Sequence, residues 1–182
     1  MGFLYKSVRE IYNDLMYKEE YAMAIRTIRK EKDPCLYKKC REVTSFDDRL
    51  AQLIDDMFDT MYEADGVGLA APQVGVLRRV VVIDVGGSEG ENAPLEMVNP
   101  RILESSGLQG GMEGCLSFPG QSGYVERPNH VKVEAFDRNG DLFEYEGEGL
   151  FARAVFHECD HLDGKVYLPL VKEPPADFKR EE

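Results

Sequence analysis

The segment His157-Glu158-Cys159-Asp160-His161 constrains this chain more than anything else in it. Residues four apart share one face of a helix, so the two imidazoles converge only if the segment is helical. Glu158 then stands one residue along, close enough to act on a metal-bound water without being an obligatory ligand. That spacing suits metal-assisted hydrolysis. The surrounding pattern predicts the helix independently, over residues 150–162, with Gly164 placed as a C-cap. Leu150 and Ala154 share the face of His157 and His161, which predicts that this face points inward. Two of the chain's three histidines fall at this spacing beside a glutamate. A pair that merely fills a core or a surface is the minority outcome. The third, His130, follows Pro128-Asn129 and reads as a solvated loop residue.

Two histidines leave an ion under-coordinated, since a catalytic zinc-like site takes three protein ligands and a water. One peptidase pattern places its third histidine six residues beyond the second. Gly164 fits that pattern, but the ligand position holds Tyr167. A downstream glutamate serves another peptidase class, and here Glu173 lies in a Pro-rich tail without helical support. The better candidate is upstream. Glu113-Gly114-Cys115-Leu116-Ser117 sets Cys115 in a glycine-flanked, polar segment. A thiolate beside a divalent metal is a strong, soft ligand, and a Cys–His–His set with one open position binds zinc or ferrous iron. A free cysteine more often ends as a small buried hydrophobe; the histidine pair is what moves Cys115 away from that reading. Cys159 points away from the histidines by helical phase. Cys35 and Cys40 have no nearby histidine and read as structural.

The 182 residues suit one domain, and 43% hydrophobic content excludes a disordered chain. No apolar run approaches the roughly 20 residues of a membrane helix. Residues 1–20 are charged throughout and do not read as a signal peptide, so a cytoplasmic protein with reduced thiols is expected. A net charge of −12 without a basic cluster argues against direct nucleic-acid binding.

Along the chain, residues 5–16 carry Val8, Ile11, Tyr12 and Leu15 at helical spacing, and Met23 reads as a fresh beginning. A turn is expected at Asp33-Pro34. Ser45 is the expected N-cap of an amphipathic helix bearing Leu50, Leu53, Ile54, Met57 and Met61, ended by Asp65-Gly66. Residues 79–85 read as a buried strand, 86–92 as a loop, and 95–105 as an extended segment interrupted by Pro100. Residues 107–123 form a glycine-rich stretch. Residues 131–137 read as a strand, Asn139-Gly140 as a hairpin turn, and 142–145 as the return strand. The tail beyond Pro174-Pro175 reads as loose.

Three segments in this order, Gly66-Val67-Gly68-Leu69-Ala70-Ala71-Pro72-Gln73, Glu113-Gly114-Cys115-Leu116-Ser117 and His157-Glu158-Cys159-Asp160-His161-Leu162-Asp163-Gly164, resemble the signature motifs of peptide deformylases. The ordered set is specific, and the resemblance covers roughly residues 23–170. It implies an α+β fold, with antiparallel sheets packed around a central helix that carries the metal-binding motif. It implies a hydrolase that removes the N-formyl group from the formyl-methionine of nascent bacterial or organellar proteins and releases formate. By similarity, Cys115, His157 and His161 hold one divalent ion, ferrous iron in the cell with zinc as the alternative. Metal-bound hydroxide attacks the formyl carbon, and Glu158 is general base and acid. Gln73 and the backbone N–H of Leu116 stabilise the oxyanion, each donor being worth about 3 kcal/mol. Val67, Gly68 and Gly114 bind the peptide, whose backbone approaches closely where Gly66 and Gly68 lack side chains.

The same resemblance implies a catalytic domain over 23–170, an N-terminal extension over 1–22 and a loose acidic tail over 171–182. The implied partner is the nascent formylated chain, with the ribosome as a further candidate, and the expected state is a cytoplasmic monomer that binds neither nucleic acid nor membrane. The chain departs from the family pattern in places. Phe156 stands where a glutamine commonly precedes the first metal histidine, which predicts altered packing, and the family's longer C-terminal helix is shortened to a Pro-rich acidic tail. An endopeptidase built on the same helix motif and a non-catalytic metal-binding protein are the competing readings. The missing downstream ligand argues against the first, and the retained Glu158 and Gln73 against the second.

Overall fold

Four β-branched residues in a row, Val80 to Ile83, lose rotamer freedom in a helix and pack well on a pleated surface. In the computed structural model of this chain, which describes residues 24–86, 93–176 and 178, all four are buried in one strand. The described strands are β1 (Gly68–Ala70), β2 (Val80–Ile83), β3 (Leu95–Ser106), β4 (Gln109–Gly114), β5 (Ser122–Arg127), β6 (His130–Phe136) and β7 (Leu142–Glu148). The α-helices are α1 (Asp48–Glu63) and α2 (Gly149–Leu162). The helix expected over 5–16 and nearly all of the loop expected over 86–92 lie outside the described residues.

Every strand pairing is antiparallel. One sheet runs in the order β1-β2-β3-β6-β7, and β4 and β5 form a separate hairpin. This is the α+β class with antiparallel sheets that was expected. Because side chains alternate along a strand, β2 serves two cores. Val81 and Ile83 join Met97, Val131 and Val133 against Ala152, Val155 and Leu162 of α2. Val80 and Val82 join Val98 against Leu50, Leu53, Ile54, Met57 and Met61 of α1. The two helices therefore cover opposite faces of the sheet. Each buried aliphatic side chain contributes roughly 1.5–3 kcal/mol relative to exposure. No helix among the described residues is long and apolar enough to cross a membrane.

The helix ends correct the sequence reading in detail. Asp47, not Ser45, caps α1: its carboxylate accepts from the N–H groups of Arg49 and Leu50 at 3.1 Å each. Ser45 instead donates its hydroxyl to Asp47 at 3.1 Å. A carboxylate at this end also meets the positive pole of the helix, which a hydroxyl cannot match. At the far end of α2, Gly164 has φ +71. Its N–H donates to the His161 carbonyl and that of Lys165 to the Asp160 carbonyl, the double bond of a Schellman turn.

Strand β3 continues through Pro100 with a shift of register between Val98 and Arg101. Asn99 takes φ +54 there and bonds both backbone groups of Val43 through its side chain, at 2.8 and 2.9 Å. The stretch 107–123, read only as glycine-rich, builds β4 and the start of β5. At two of its glycines large side chains lie against the hairpin: the Tyr124 ring covers Gly110, and the Arg153 guanidinium would stand 3.1 Å from a Cβ at Gly111. His130 is not a loop residue; it opens β6, with its ring nitrogen 2.7 Å from Glu146 of β7. Beyond Leu170, Lys172 bridges to Tyr124, and the Phe178 ring lies 4.8 Å from that of Tyr124.

Candidate metal centre

Helix α2 carries His157, Glu158 and His161, all buried. His157 and Glu158 line a cleft of about 570 Å³. Leu150, expected to point inward, sits at the mouth of that cleft and is 53% exposed, while Ala154, one turn on, is buried in its wall. Phe156 packs, partly buried, against the α2 core.

Directly after β4, Cys115 brings its Sγ to 3.2 Å from His161 Nε2. One ligand atom from each of Cys115, His157 and His161 lies within 4.8 Å of the other two. Two buried side-chain atoms, Glu158 Oε2 and His161 Nδ1, have no partner among the described residues. A buried carboxylate oxygen left alone costs about 1–3 kcal/mol or more, so a donor belongs beside Glu158. A thiolate, two imidazoles and an acceptor waiting for a donor fit a divalent cation that carries water. Burial pushes the Glu158 carboxyl up to about 7, where a group can take and return a proton near neutral pH. Burial first, and then the charge of His157, push His161 down to about 3. A neutral imidazole is the ligating form, so His157, whose burial works to lower it but whose bonds to Cys115 and Glu113 push it up to about 10, must release a proton when a cation binds.

Behind the histidines lies a charge network that the sequence reading missed. Glu113 accepts from Arg127 Nε at 2.9 Å and Nη2 at 3.1 Å, and from Arg153 Nη1 at 2.9 Å. His157 Nδ1 stands 3.1 Å from Glu113 Oε2, the oxygen that Arg127 Nη2 also reaches. Burial works to raise the Glu113 carboxyl, but the bonds and charges of His157 and Arg127 overrule it and hold it at about 2. The second ring nitrogen of His157 is thereby left for the cleft, as metal-ligating histidines require. One signal was available: Arg153 lies four residues before His157, a charged residue on a face predicted to be buried. Tyr167, rejected as a ligand, is buried with its ring 5.7 Å from that of His157.

Gln73 is buried in the turn after β1. Its Oε1 accepts from Ala70 N–H at 2.8 Å. Its Nε2 points at Cys115 Sγ, 3.4 Å away, and at Ser117 Oγ, 3.2 Å away. Val67, Gly68, Gly114 and Leu116 all line the cleft, and β1 is an edge strand. At Gly68 a Cβ would stand 2.5 Å from Glu158 Oε1. Gly68→Ala should therefore displace the glutamate, lowering kcat about 10²-fold by misplacement with metal content unchanged; an alanine variant as active as the parent refutes the contact.

Residues 25–175 match the polypeptide deformylase family model. The peptide deformylase of Agathobacter rectalis is 55% identical over 160 residues, covering 88% of this chain and 98% of the relative. Peptide deformylase 1 of Clostridium acetobutylicum is 56% identical over 151 residues, covering 83% and 97%. Among solved structures, the peptide deformylase from Thermotoga maritima superposes with a TM-score of 0.78 at 42% identity, covering 82% of this chain and 99% of that one. The one from Synechococcus elongatus, solved with actinonin, gives 0.79 at 39%, covering 86% and 85%.

Proposed function

This chain belongs to the polypeptide deformylase family, enzymes that take the N-formyl group from nascent polypeptides, and we propose that it does so with Cys115, His157 and His161 holding one divalent cation and Glu158 moving the protons. The observation that carries this reading is the orphaned Glu158 Oε2 beside three convergent ligand atoms. A bound cation supplies Lewis acidity and a water of lowered pKa. The Glu158 carboxylate would accept the proton of the attacking water and return it to the departing amine. Gln73 Nε2 and the Leu116 N–H donate to the formyl oxygen as charge develops there. The peptide lies along the open edge of β1 by strand addition, where Val67 and Gly68 meet its backbone and Gly114 faces it from the opposite wall. Helix α2 is the central metal-bearing helix of the fold.

Ferrous iron is the cellular metal in this reading, and zinc the alternative. Residues 23–170 are the catalytic unit, which the family match over 25–175 supports; residues 1–22 are an extension and 171–182 a tail. The protein works as a cytoplasmic monomer on nascent chains, within reach of the ribosome and without binding nucleic acid itself, in keeping with its charge of −12.

Protein purified without oxygen and subjected to elemental analysis should hold about one metal ion per chain, the single-ion stoichiometry of a three-ligand catalytic site. The same sample should release formate from formyl-methionyl peptides. Cleavage of an internally quenched peptide with no formate release would replace this reading with the endopeptidase one.

A further inference from the structure

Gln73 and Leu116 come from distant parts of the chain, one after β1 and one after β4, yet an oxyanion site requires their donors to keep a fixed separation. A short strap ahead of the Pro34–Tyr37 turn reaches both. The Arg29 N–H donates to the Gln73 carbonyl at 2.7 Å. The next residue, Lys30, donates through Nζ to the Leu116 carbonyl at 2.9 Å. The one after, Glu31, accepts from Gln121 Nε2 at 3.0 Å. The Glu31 carbonyl is itself held by the Tyr37 hydroxyl at 2.7 Å, and the Gln121 carbonyl by the buried Tyr167 at 3.0 Å. Three consecutive residues thus bond to the two candidate donor segments and to the loop that follows the second. Adjacent Cα atoms are a fixed 3.8 Å apart, so the strap works as a spacer between the Gln73 turn and the Cys115–Leu116 turn.

From this we infer that Lys30 is a positioning residue for the oxyanion site. Its ammonium holds the Leu116 carbonyl, one Cα along from the Leu116 N–H, and so restrains the segment that carries this donor relative to Gln73. Lys30 reaches Leu116 through its side chain, and it lines the cleft. A surface lysine making an ordinary hydrogen bond would change nothing measurable on removal. A spacer changes the rate in the transition state and leaves ground-state binding alone.

The inference rests on the reading of Gln73 and Leu116 as oxyanion donors. Its test has two arms. In the first, kcat and KM are measured on formyl-Met-Ala-Ser with metal-loaded protein. Lys30→Met should lower kcat about three- to tenfold, with KM within about twofold, as expected for an interaction that acts mainly in the transition state. Metal content should stay equal, and Lys30→Arg, which keeps a donor, should restore most of the rate. In the second arm, backbone amide exchange is followed in metal-free protein. Lys30→Met should speed exchange at residues 115–117 and leave α1 unchanged. An unchanged kcat, a raised KM at constant kcat, or unchanged exchange at 115–117 each overturns the inference. If the parent protein releases no formate, the deformylase reading fails, and the exchange arm still decides whether Lys30 holds the Leu116 segment.

Discussion

Glu158→Gln keeps the metal and loses about 10²–10⁴-fold in kcat, the range that a positioned proton-transfer group contributes. The substitution preserves volume, which matters because Glu158 is only 4% exposed and packs against the space that Gly68 leaves empty. It keeps one acceptor oxygen and turns the other into an N–H donor. What it removes is basicity. Burial pushes the Glu158 carboxyl up to about 7, which makes it a stronger base for a proton from water and leaves it able to return that proton. An amide can do neither. The metal should remain, because the three atoms that converge closely enough to hold an ion belong to Cys115, His157 and His161. The check is turnover on a formyl-methionyl peptide together with elemental analysis of the same sample. A variant with more than about a tenth of parental kcat falls outside the range for lost acid–base catalysis and removes Glu158 from the proton path. A variant that arrives without metal shows that Glu158 is a ligand.

The residues behind that expectation differ in how well the chain displays them. The spacing of His157 and His161 is local: a helix has a fixed period, so four residues apart in sequence means one face in space. The stripe Leu50, Leu53, Ile54, Met57 and Met61 is legible for the same reason, and all five are buried in the α1 core. Cys115 was reachable only by counting ligands, since nothing in its neighbours says that it meets His161, 46 residues later. The β4–β5 hairpin was hidden by its own glycines. Gly110 and Gly111 erase the alternation that marks a strand, and they are glycines because Tyr124 and Arg153 press on them from other elements. Leu150 was misjudged because a helix face lining a wet cleft carries the same periodicity as one lining a core. The cap of α1 was misplaced by two residues because Ser45 and Asp47 are both good caps, and only the path of the chain chooses between them. Glu113 is the hardest case. Its partners Arg127, Arg153 and His157 lie 14, 40 and 44 residues away. No periodicity links such positions, and only the fold brings them together.

That distance makes Glu113 the most consequential residue outside the ligand set. Glu113→Ala should destabilise the metal-free protein by about 3–5 kcal/mol, the cost of breaking a buried ion pair and leaving the partner charge alone. Glu113 is 4% exposed, Arg127 6% and Arg153 8%, so water cannot replace the lost carboxylate. Arg127 keeps its bond to Asp160 at 2.6 Å, which offsets part of the loss. Arg153 keeps only the Val125 carbonyl at 3.1 Å, a neutral acceptor in place of a charge. The measurement is urea unfolding of metal-free protein, where the midpoint should fall at constant slope if the folded and unfolded states keep their extents. Metal affinity should fall as well, by about 10–100-fold, because His157 loses the group that orients its ring. Glu113→Gln separates the two effects. It retains an acceptor for His157 and removes the charge, so it should recover more of the metal affinity than of the stability. If Glu113→Ala unfolds at the parental midpoint, the two arginines are solvated in the native state and the network does not support the metal histidine.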